Sequence, residues 1–259
     1  MEEQQMTFWE HLDELRKVLF RSAIVIVALM AGIFMAKDFV FDKVVFAPIN
    51  SDFALYKLID KVLVMMGMPT LPEFKLSLIN IDLSAQFFIH ISTTFYFALV
   101  LSVPFIVYQL WKFVSPALYD NEKRAAKGAF AFAGILFLLG VLVGYYLIFP
   151  LTLRFLGTYQ VSLEVANQIS LQSYISMFTW LILIMGVVFE MPSLAVILSR
   201  IGILTKSFLK KYRRHAFIVM LVLAAFITPS GDPFTLMAVG LPLYGLYELS
   251  ILVCRDIDK

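Results

Sequence analysis

Residues 111–127 read WKFVSPALYDNEKRAAK, a short polar island between two long runs free of Asp, Glu, Lys and Arg, Phe87–Trp111 and Gly128–Leu153. Each run exceeds the roughly 20 residues that cross a bilayer as a helix, so the island must sit at a membrane surface. It carries Lys112, Lys123, Arg124 and Lys127, and a short loop this rich in basic residues stays on the cytoplasmic side. Asp120 and Glu122 lie among them. A carboxylate held at a membrane surface is either a helix-start device or a receptor for a cationic ligand, and the residues alone leave both readings open.

The composition agrees with that placement. Of 259 residues, 61% are hydrophobic and 15% charged, against about 25% charged in soluble domains. The whole chain, 1–259, therefore reads as one polytopic all-α membrane domain. The single cysteine, Cys254, excludes an internal disulfide, and His11, His90 and His215 show no metal-binding spacing. No metal or other cofactor is expected. The start, MEEQQMTFWEHLDELRK, is acidic and amphipathic, which predicts that no cleavable signal sequence leads the chain.

Working outward from the island, six membrane-crossing helices are expected, near 18–36, 87–113, 129–153, 171–198, 213–229 and 234–252. The last two are thin and need a locally thinned bilayer or shielding neighbours. Loops 37–86, 154–170 and 230–233 then fall outside, and 114–128 and 199–212 inside. Fifteen of the 21 Lys and Arg lie on the side that holds both termini, which makes that side cytoplasmic. The long first loop is expected to fold into an external cap. Within it, 53–66 predicts an amphipathic helix lying on the bilayer surface, 75–82 a short strand, and Pro48 a turn or cap. Residues 7–19 predict an amphipathic helix with Leu12, Leu15 and Leu19 on its apolar face.

Glu190 is the outstanding functional candidate. It is the one charge in 171–198, ten residues from Arg200, hence about 15 Å deep in a hydrocarbon core about 30 Å thick. An acid at that depth is costly and is usually functional. Pro192, two residues on, lacks the N–H that would satisfy the Val188 carbonyl. The plain structural reading is a buried, protonated acid bonded to a neighbouring helix. Glu14 and Glu122 also have plain readings: an i,i+3 pair with Lys17, and a first-turn helix acid with Asp120 as N-cap. His90 reads as an interfacial polar residue. Pro150 is expected to end or bend the third span, and Pro104 and Pro242 to kink others.

Five fragments in this order resemble the TatC family, the core of the twin-arginine protein translocase, over almost the whole chain. HLDELRKVL holds His11, Leu12, Glu14, Leu15 and Arg16. SVPFIVYQLWKFVSPALYDNEKR supplies Pro104, Tyr108, Gln109, Trp111, Phe113, Pro116, Leu118, Tyr119, Glu122 and Arg124. GVLVGYYLIFP has Gly140, Tyr145 and Pro150, and FEMP has Phe189, Glu190 and Pro192. The fifth, ITPSGDPF, resembles the family's TPxDPF with Thr228, Pro229, Asp232 and Phe234, but carries an extra residue before Asp232, and Leu236 stands where many members have Gln.

The resemblance implies a non-enzymatic receptor in the bacterial cytoplasmic (inner) membrane, with both termini in the cytoplasm. It implies binding of RR-containing signal peptides of folded precursors through Glu14 and Glu122, flanked by Leu15, Arg16, Phe113, Pro116, Tyr119 and Arg124. It implies a membrane-embedded functional acid, Glu190, with Pro192. Assembly with TatA- and TatB-type single-span proteins, driven by the proton-motive force, follows from the same likeness. Pro48, Thr228, Pro229, Asp232 and Phe234 are expected to serve structure or partner docking. Membrane lipids and further copies of the chain complete the partner set, with no nucleic acid. The alternative function is a proton-coupled small-solute transporter using Glu190. Against it, no repeat symmetry is visible, and a hydrolase lacks GxSxG or HExxH.

Overall fold

The computed structural model describes residues 8–74, 76–117, 120–162, 164, 167–200, 202–228 and 232–254, with main chain alone for 8, 117, 120–126, 129 and 234. The long apolar runs become helices. α1 is Phe8–Met35, continuous from the amphipathic start into the apolar run. α2 is Ala54–Met65 and α3 is Ala85–Val114. α4, Asp120–Val143, passes through a π-helical turn, Gly144–Ile148, into α5, Phe149–Thr158. α6 and α7 are Leu171–Val188 and Met191–Arg200. α8 (Lys206–Lys211), α9 (Arg213–Ile227) and α10 (Pro233–Val253) complete the bundle.

Among the described residues, five helical segments are long and apolar enough to cross a membrane: Trp9–Met35, Ala85–Val114, Phe130–Thr158, Leu171–Arg200 and Thr235–Val253. α9, at the place expected for a fifth of six crossings, has only 15 residues, or about 22 Å of helix.

Three of the prolines singled out above, Pro104, Pro150 and Pro242, lie within helices. Pro150 does not end its helix. The preceding turn widens so that the Phe149 N–H reaches the Gly144 carbonyl, and Pro150 then falls in the first turn of α5, where its missing N–H is not needed. α3 and α10 run on through Pro104 and Pro242.

α1 lies along α3, α3 along α4 and α6, α4 along α6 and α7, and α10 joins α7 and α9. The α4–α6 seam depends on small residues. A Cβ at Gly140 would sit 2.5 Å from the Met185 carbonyl oxygen and 2.7 Å from Phe189 Cβ, and one at Gly144 would sit 3.1 Å from Ile182 Cα. This four-residue glycine spacing is the small-xxx-small device of membrane helices, which lets backbones approach. Beside it, Phe149 meets Phe178 edge-on at 5.0 Å and Tyr174 at 5.4 Å, all three fully buried.

The long first loop closes over one end of the bundle, through tyrosines that satisfy its carbonyls. Tyr174 donates to the Val45 oxygen at 2.6 Å and Tyr145 to that of Val44 at 2.9 Å. Tyr56, buried on α2, reaches the oxygens of Pro48 (3.2 Å) and Pro150 (3.0 Å). Pro48 sits in the first turn of a short 3-10 helix, Ala47–Ile49. Arg154 lies over the rings of Tyr56 and Phe74, at 5.3 and 5.4 Å, and donates to the Pro72 oxygen. The expected strand is short. Leu78–Ile79 (β1) pairs in parallel with Ile169–Ser170 (β2), and Lys75 lies outside the described residues.

Candidate functional site

The first locus is the end of the bundle where α1 begins and α3 finishes. His11 stacks on Phe113, with ring centroids 4.1 Å apart and planes at 27°. That contact sets the start of α1 against the last turn of α3, immediately before the 114–128 segment. Glu14, one turn beyond His11, pairs with Lys17 at 2.6 Å. Both side chains are well exposed, at 41% and 55%. An i,i+3 pair in that setting is weak, so Lys17 is a replaceable partner. The Lys17 amine also holds the Glu14 carboxyl below its usual range. Arg16 is exposed, Leu15 and Phe113 are half-buried, and Pro116 is exposed in the 3-10 turn Ser115–Ala117.

The stripe of α1 that faces α3 differs from expectation. Val18 and Ser22 are buried, whereas Leu12 and Leu19 are 41% and 63% exposed. The packed face runs His11, Leu15, Val18, Ser22, which keeps helical spacing. Leu12 and Leu19 point outward. Lipid tails are as apolar as leucine, so membrane exposure costs these side chains nothing and the apolar residues do not mark the packed face.

The island's other candidates are described only in part. α4 starts at Asp120, which places the main chain of Glu122 and Arg124 in its first turns. Their side chains lie outside the described residues, as does Tyr119 entirely. Tyr108, one turn before Lys112, lies under that residue's amine at 4.9 Å.

The second locus is Glu190. The helix breaks here: the Phe189 N–H still reaches Met185, but the Glu190 N–H turns to Val187 and the next helix starts at Met191. Pro192, buried in the first turn of α7, is accommodated by that break. Ser193 Oγ lies 2.5 Å from Glu190 Oε2. The Phe137 main chain is within reach of the carboxyl, yet Oε1 is shut off from the surface without a hydrogen-bond partner among the described residues. A buried carboxyl oxygen left so is costly to keep. Ser193 was not singled out in the sequence, although its i+3 spacing from Glu190 is a readable signal.

The partner-docking candidates are spread. Thr228 is buried, with its hydroxyl on the Ala224 oxygen at 2.9 Å. Asp232 caps α10, accepting from the Thr235 N–H at 2.8 Å and from the Thr235 hydroxyl. Trp180, also unsuspected from sequence, donates to the Ile227 oxygen at 3.2 Å and pins the end of α9 to α6. Pro229 and the Phe234 side chain lie outside the described residues. Among the described residues no group of three His, Cys, Asp or Glu side chains could hold a metal ion.

Comparison with known proteins completes the picture. The family described as Sec-independent protein translocase protein (TatC) matches residues 10–242. The Blattabacterium (Periplaneta americana, strain BPLAN) protein of that name is 36% identical, with 100% of this chain and 98% of that protein aligned. The Campylobacter jejuni one is 33% identical over 96% and 93%. Bacillus subtilis TatCy is 32% identical over 98% and 91%. Two crystal structures described as the twin arginine translocase receptor TatC superpose with TM-scores of 0.68 and 0.71, at 31% and 30% identity. They cover 94% and 95% of this chain, and 97% and 100% of their own.

Proposed function

Because this chain belongs to the TatC family of Sec-independent protein translocase proteins, we propose that it is the signal-peptide receptor of a twin-arginine translocase. The observation that carries the reading is the His11–Phe113 stack. It supports a common mouth formed by the start of α1 and the segment leading into α4, with Glu14 on one side and Glu122 on the other. Two adjacent arginines demand more than diffuse negative charge. A guanidinium pairs with a carboxylate through two parallel hydrogen bonds, which an ammonium cannot form. Glu14, paired with an exposed lysine, can exchange that partner for an arginine. Phe113 offers an adjacent apolar wall, and Leu15, Arg16, Pro116, Tyr119 and Arg124 are assigned to the same site.

The same proposal places both termini in the cytoplasm of the bacterial inner membrane, with six crossings near the ranges predicted above and α9 as the short one. It assigns Glu190 with Pro192 to a later step, after the precursor has docked. It takes TatA- and TatB-type single-span proteins as partners and the proton-motive force as the driver. Thr228, Pro229, Asp232 and Phe234, around the α9–α10 turn, belong to the docking of those partners, and Pro48 to the cap. Family membership displaces the small-solute transporter reading. The experiment is co-purification from mild detergent. Small single-span proteins and an RR-bearing precursor should come down with the full chain, and an RR→KK precursor should not. Equal recovery of both precursors would overturn the receptor assignment.

A further inference from the structure

An apolar groove of about 310 Å³ runs between α3 and α4. At one end Gly134 brings α4 close to the proline of α3: a Cβ there would lie 3.9 Å from Pro104 Cα. Towards the other end, Trp111 and Phe130 hold their rings 5.6 Å apart. Lys127 lines the groove, as does Tyr108, which carries the Lys112 amine over its ring. Among the described residues that line the groove, none carries a carboxylate.

Dimensions and charge together identify the occupant. The α4 wall runs from Lys127 to Leu138, which at 1.5 Å per residue is about 16 Å. Half of a hydrocarbon core about 30 Å thick is nearly the same length. The groove is therefore one leaflet deep. It is apolar along its length and cationic near one end, where Trp111 and Tyr108 provide the aromatic side chains typical of the interface. A transmembrane helix about 10 Å wide would lie across such a cleft rather than enter it, whereas a single acyl chain enters lengthwise. Basic residues between helices at headgroup level recognise anionic lipid. We infer that this groove is a binding site for an anionic phospholipid, its acyl chain between α3 and α4 and its phosphate at Lys127 and Lys112.

The test is native mass spectrometry of the full chain in mild detergent, with phosphatidylglycerol and phosphatidylcholine of identical acyl chains. Wild type should retain phosphatidylglycerol in preference. Lys127→Gln should reduce that preference by about fivefold. Ala131→Phe, at an exposed lining position, should fill the groove and abolish retention of both lipids. Bound phosphatidylglycerol should survive an excess of an apolar single-span peptide. Equal retention of the two lipids by wild type, undiminished retention by Ala131→Phe, or displacement by the peptide, which would assign the groove to a helix, would each overturn the inference.

Discussion

The Ser193 hydroxyl lies 2.5 Å from Glu190 Oε2 and 2.9 Å from the Glu190 main-chain oxygen. One short side chain thus serves both the acid and the helix break that carries it. Glu190 Oε1 is buried with no hydrogen-bond partner among the described residues, so the two carboxyl oxygens are held unequally. Glu190→Ala should therefore impair transport while leaving precursor binding at the cytoplasmic face intact. Glu190→Gln, which still accepts from Ser193, should be milder. Ser193→Ala should fall between wild type and Glu190→Ala. Transport assays on inverted membrane vesicles, at matched protein levels, measure all three; full transport by Glu190→Leu would remove Glu190 from the mechanism.

Gly140 and Gly134 both lie on α4, but only Gly140 is a point of tight approach. Alanine at 140 would meet the Met185 carbonyl oxygen at 2.5 Å, and overpacking of this kind costs about 1–3 kcal/mol. Alanine at 134 meets only Pro104 Cα at 3.9 Å, an ordinary contact, and should be tolerated. Thermal unfolding in detergent should show a clear loss for Gly140→Ala and none for Gly134→Ala. Equal behaviour of the two variants would mean that the α4–α6 seam is looser than described.

The proposed orientation rests on the placement of basic residues: six crossings would put 15 of the 21 Lys and Arg on the side of the termini. Alkaline phosphatase fused after Lys259 should be inactive, and the same enzyme inserted between Lys57 and Lys75 should be active. The reverse pattern would invert every side assigned above. An active C-terminal fusion combined with an active insertion would mean that α9, with its 15 residues, does not cross.

What was legible in the sequence divides along physical lines. Glu190 and Pro192 stood out because a charge and a missing N–H are conspicuous in an apolar run, and the helix does break beside them. The apolar face of α1 does not coincide with its packed face. Amphipathic spacing reports the boundary between water and everything apolar, and in a membrane lipid and protein look alike to Leu12 and Leu19. Contacts between residues far apart in the chain were out of reach. The stack of His11 on Phe113 joins two helices, and Tyr56 bonds a carbonyl 94 positions away. Gly140 and Gly144 keep a readable small-xxx-small spacing, but the sequence reading uses only Gly140, as part of a family motif.

Glu14 and Glu122 are predicted to receive two arginines jointly, beside the His11–Phe113 stack. The measurement is the affinity of the purified full chain for an RR signal peptide and its KK variant, at two salt concentrations. Wild type should prefer RR at both, because paired hydrogen bonds are screened less than diffuse attraction. Glu14→Ala and Glu122→Ala should each weaken RR binding roughly tenfold and lose most of the preference. The double variant should lose less than the sum of the two, since both acids act on one ligand. Full RR-over-KK discrimination in both single variants would contradict the account, leaving Glu14 a surface partner of Lys17 and Glu122 a first-turn helix acid.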